Sequence, residues 1–76
     1  MELKATLAIP ALLAQAQTEK TKVTLHLRSG TTLTGRVAEV GDHHVVIAEL
    51  AGKELFDALV RTDEIAAIEV RVRGHK

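Results

Sequence analysis

Along the chain the apolar positions keep two different periods. Over Leu3 to Gln17 the residues Ala11, Leu12, Leu13, Ala14, Gln15 and Ala16 are good helix formers, and Pro10 suits a first helical turn. Leu12, Leu13 and Ala16 share one side of that helix, so it should lie on an apolar surface. The polar stretch Thr18 to Lys22 connects the helix to the first strand. From Val23 onward the period becomes two: Val23, Leu25 and Leu27 alternate with Thr24, His26 and Arg28, the signature of a half-buried strand. Ser29-Gly30 supplies a turn, and Thr31 to Val40 reads as a second strand with Gly35 in its middle. A glycine there points to a tight bend or a close backbone approach.

Gly41-Asp42 marks the next turn, and His43 to Leu50 the third strand. There Val45 and Ile47 face one way and Val46 and Ala48 the other, so both faces are apolar, as in a central strand. Ala51-Gly52-Lys53 turns the chain into a fourth strand, Leu55 to Val60. After the short turn Thr62-Asp63-Glu64, Ile65 to Arg73 alternates as a fifth, and Gly74 to Lys76 forms a tail. The expected fold is mostly β: one single domain over residues 1–76, with a short N-terminal α-helix and a strongly bent five-stranded antiparallel small barrel over 23–73.

Composition narrows the function. A chain of 76 residues has a small core, and short chains lean on disulfides, metals or oligomers. There is no cysteine, which removes disulfides and thiolate metal sites and points toward assembly with copies of itself. Phe56 is the only aromatic residue, which argues against a ligand cage or a row of stacking rings. Lysine plus arginine equal aspartate plus glutamate at 10 each, so nucleic-acid affinity would need a local basic patch or repetition in an oligomer. No apolar run is long enough to span a membrane, and no charged n-region precedes an apolar h-region. A cytoplasmic protein is the expectation.

The stretch VTLHLRSGTTLTGRVAEVGDHHVVI, Val23 to Ile47, resembles the first motif of the Sm, LSm and Hfq (Sm-like) family. The match lies in Val23, Leu25 and Leu27, the turn Gly30, Gly35 five residues later, then Val37 and Val40. LVRTDEIAAI, Leu59 to Ile68, is similar to the second motif through Val60, Arg61, Asp63, Glu64, Ile65 and Ile68. The leading helix with Pro10 and its Leu-Leu pair looks like the helix that precedes the barrel in that family. The resemblance implies rings of six or seven copies, in which the fourth strand of one pairs with the fifth of the next. It also implies single-stranded, U-rich RNA bound at a pore-side pocket. An incompletely closed sheet gives the same expectation of assembly, because its edges carry unpaired backbone groups. The chain departs from the family pattern in three places. Gly41 replaces an Asp, Val45 falls near the position of the base-contacting Asn, and Arg61-Thr62 stands for Arg-Gly.

His43 is the sharpest candidate, since it falls where the family has its stacking aromatic and an imidazole can stack on a base. Arg61 would supply a phosphate or base contact, or else pair with Asp63. Asp42 and Asp63 flank these two as further candidates for RNA binding. His26, near Thr31 and Thr32 around the first turn, stands where Hfq-like rings bind adenine-rich RNA; its plainer reading is a polar outward position. His43 and His44 are adjacent, and adjacent strand residues point to opposite faces, so they should not chelate one metal ion. Arg71, Arg73 and Lys76 form a basic stripe and tail. No nucleophile, base and orienter stand at a recognisable spacing, so no catalytic residue, cofactor or metal is expected. Two functional classes remain: an RNA-binding ring, and an oligomeric scaffold or protein-interaction module without RNA affinity. A monomeric barrel attached to a larger machine is a third possibility.

Overall fold

The computed structural model describes residues 2–71. Helix α1 (Ile9–Glu19) is followed by β1 (Lys22–Leu27), β2 (Thr32–Val40), β3 (His44–Ala48), β4 (Ala58–Arg61), a single 3-10 turn (Thr62–Glu64) and β5 (Ile65–Val70). All strand pairs are antiparallel, and the order across the sheet is β4-β3-β2-β1-β5. The expected helix and five-stranded antiparallel sheet are therefore present. The sheet is not closed by hydrogen bonds, however. Among the described residues β4 and β5 stand at opposite edges, each paired on one side only.

Alternation decides which side of the sheet is buried. Val23, Leu25, Val37, Val45, Ile47, Val60 and Ile65 point to the inner face, and Leu13 and Ala16 of α1 complete the cluster with Leu50. Leu13, Leu25 and Ile47 are wholly buried, each worth roughly 1.5–3 kcal/mol relative to exposure. The core is aliphatic throughout, as a chain with one aromatic residue requires. Helix α1 packs on β2, and the Gln17 side chain donates to the Ala38 carbonyl at 2.7 Å. Register shifts at His26/Leu27 and Val37/Glu39 interrupt the ladders, and such bulges bend and twist a strand.

Gly35 is a point of close approach in the sheet. A Cβ built there would sit 2.6 Å from the Ala48 carbonyl oxygen and 2.7 Å from Ile47 Cγ2, so the glycine permits β2 to lie close over β3. The turn at Ser29-Gly30 is equally specific, because Gly30 has φ +96° and its N–H donates to the Leu27 carbonyl.

Several element limits differ from the sequence reading. The helix begins at Ile9 rather than Leu3, with Pro10 in its first turn. Proline has no N–H and restricts the residue before it, so a helix tends to start at such a position rather than run through it. The fourth strand begins at Ala58, not Leu55. Glu49 adopts φ +55° at the end of β3, and the chain then folds on itself through Lys53 N–H to Leu50 O and Phe56 N–H to Lys53 O. Leu55 and Phe56 are thereby left outside the ladder. The fifth strand ends at Val70; the expected continuation through Val72 and Arg73 lies outside the described residues.

Candidate functional site

Two connections meet at one end of the sheet and form a depression of about 620 Å³, lined by Asp42, His43, His44, Arg61, Thr62 and Asp63. The first connection is the β2–β3 turn. Its backbone is closed by Gly41 N–H donating to the His44 carbonyl at 2.8 Å, which leaves Asp42 and His43 projecting from the bend. The second is the 3-10 turn between β4 and β5. Ile65 buries beneath its end, and Glu64 O accepts from Arg28 N–H at 2.8 Å, tying the turn to the end of β1. A bond from Thr62 N–H to His43 O, 2.9 Å, joins the two connections directly. His44 and Arg61 are register partners across β3 and β4, so their side chains share the outer face.

Four of the five residues singled out in the sequence, Asp42, His43, Arg61 and Asp63, thus come together. His26 does not join them. It lies within β1, opposite Thr32 and Ala67, with its Nε2 atom 3.4 Å from Glu69 Oε1. That atom is itself buried and forms no well-aligned hydrogen bond, so the contact is a loose ion pair at most. Comparison with known proteins gives no matching family model and no matching curated protein.

The electrostatics of the depression are mixed. Arg61 Nη2 donates to Asp63 Oδ2 at 2.9 Å, the pairing that the sequence offered as the alternative to ligand binding. Both side chains are exposed, so this bridge is weak and can open to a ligand. Asp42 adds a second carboxylate against the single guanidinium. Neither Asp42 nor either histidine side chain makes a hydrogen bond or ion pair with another described residue.

Two lining residues, His44 and Thr62, were not among the candidates. Strand alternation sets His44 opposite His43, but β3 starts only at His44. His43 therefore belongs to the turn, where the two-residue period does not apply, and both imidazoles border one depression. Among the described residues no group of three or more His, Asp or Glu side chains is placed to hold a metal ion, and no helix is long and apolar enough to cross a membrane. Of the basic stripe, Arg71 directly follows β5 as an exposed residue, while Arg73 and Lys76 lie outside the described residues.

Proposed function

We propose that the chain is a ring-forming, non-catalytic subunit in which the β4 edge of one copy pairs with the β5 edge of the next. In the ring, single-stranded RNA binds at the depression formed by the two connections. The observation that carries the assembly reading is the condition of the β4 edge. Among the described residues that strand has one neighbour only, and its large apolar residues and those just before it include Leu55 at 98%, Phe56 at 61% and Leu59 at 70% exposure. Leu59 stands opposite Val46 on the outer face, so the apolar surface continues into the sheet. An exposed apolar edge is a template for pairing with another chain. At the other edge Ile68 and Val70 of β5 are only half buried against the core, and a neighbouring strand would cover them. The Sm-like resemblance of the two sequence motifs supports the same arrangement.

RNA binding has separate support. His43 and Arg61 face the same depression, pairing a stackable plane with a fork of donors, and a ring would repeat them around its axis, so that weak contacts add as avidity. The test is fluorescence polarisation of the assembled protein with short U-rich, A-rich and G-containing oligoribonucleotides. Saturable binding to at least one of them is expected. Failure to bind any of them at low salt would overturn the RNA reading and leave the assembly reading in place.

A second reading, the same ring as a protein-interaction scaffold without RNA affinity, is favoured by one observation. The guanidinium in the depression is already paired with a carboxylate, in a chain whose formal net charge is zero. Protein partners copurifying without nucleic acid would support it.

A further inference from the structure

Resting on the reading of the depression as a site for single-stranded RNA, we propose that Asp42 makes it select guanine over uracil. The argument begins with charge. The depression holds one guanidinium, Arg61, two carboxylates, Asp42 and Asp63, and two imidazoles. Asp63 offsets Arg61 at 2.9 Å. Such a site is a poor seat for a phosphate. What enters it is the uncharged part of the nucleotide, the base, and the backbone stays outside.

Hydrogen-bonding capacity then separates the bases. An ionised carboxylate only accepts, and its two oxygens match two neighbouring donors. Guanine offers such a pair on its Watson–Crick edge, N1–H beside the N2 amino group. Uracil offers a single N3–H between two carbonyl oxygens, which would face the carboxylate oxygens unfavourably. Adenine and cytosine each set one amino group beside a ring nitrogen that accepts. Only guanine fits a carboxylate at both points.

Of the two carboxylates, Asp42 is the one without a partner among the described residues, and it sits next to His43 in the same turn. A base stacked on His43 could therefore present its edge to Asp42. Arg61, on β4 in the same lining, gives only Nη2 to Asp63 and keeps further guanidinium donors for O6 and N7, the commonest arginine contact to guanine. The volume of about 620 Å³ lies within the ordinary range of small-ligand sites and admits a purine. The Sm-like resemblance implies uracil; the acidic lining is the reason this chain should differ.

The experiment compares the full-length assembled protein on an oligouridine, on the same oligouridine with one central guanosine, and on the same with inosine in its place. The expected result is binding of the guanosine oligomer about tenfold tighter than oligouridine, the discrimination of one good bidentate contact. Inosine, which lacks the N2 amino group, should fall between them. Asp42→Asn replaces one acceptor oxygen by a donor at an exposed turn position, so the fold should persist, by circular dichroism, while the guanosine preference disappears. Equal affinity for guanosine and uridine oligomers, or a preference that survives in D42N, would overturn this inference and leave the RNA reading standing. No binding of any oligomer would overturn both.

Discussion

At the scale of single residues, Gly35 sets how closely two strands approach. Its missing Cβ is what lets the backbone of β2 lie over Ala48 and Ile47. The nearest obstacle to a side chain there is a backbone carbonyl, which cannot rotate away. Gly35→Ala should therefore destabilise the protein by about 1–3 kcal/mol, read as a lower urea midpoint with an unchanged m-value. The sequence showed that a glycine in the middle of an alternating strand needs a reason. It could not say which neighbour supplies that reason. The same division applies to the depression. Asp42, His43, Arg61 and Asp63 were legible because both connections carry turn residues at the ends of recognisable strands. His44 was not, because the period of two was applied one residue before the strand begins. The salt bridge of Arg61 with Asp63 was visible as an option, and only coordinates could choose it.

At the scale of elements, the helix shows how local chemistry sets limits that periodicity does not. Pro10 places its start, while its end is set by Lys20 in the left-handed conformation, φ 57° and ψ 38°. There Thr21 N–H reaches Ala16 O and Lys20 N–H reaches Gln17 O, satisfying the last carbonyls of α1. A side chain in that conformation is strained, and glycine is not. Lys20→Gly should accordingly raise stability by about 1 kcal/mol, after the greater unfolded freedom of glycine offsets part of the relief, and should raise the thermal midpoint. Nothing in Thr18 to Lys22 announces this cap, since lysine is an uncommon residue for it. The apolar pair Leu55-Phe56 misled in the opposite sense. It reads as a strand by composition, yet Asp57 Oδ1 accepts from Glu49 N–H and the ladder resumes only at Ala58.

For the whole molecule, the open sheet matters most. Five strands were legible because each is an aliphatic run, alternating in the first and last and apolar on both faces in the third, bounded by glycines or polar turns. That β5 pairs with β1, leaving β4 and β5 as the two edges, is a long-range fact that no local pattern contains. Those edges, with Leu55, Phe56 and Leu59 exposed at one of them, are the ground for the assembly proposed above, and a repeated depression is useful only if assembly occurs. Native mass spectrometry of the unmodified chain is the most direct test. The account predicts one closed species of about six or seven copies of the 8.2 kDa chain. A lone 8.2 kDa monomer at every concentration that stays in solution would contradict it.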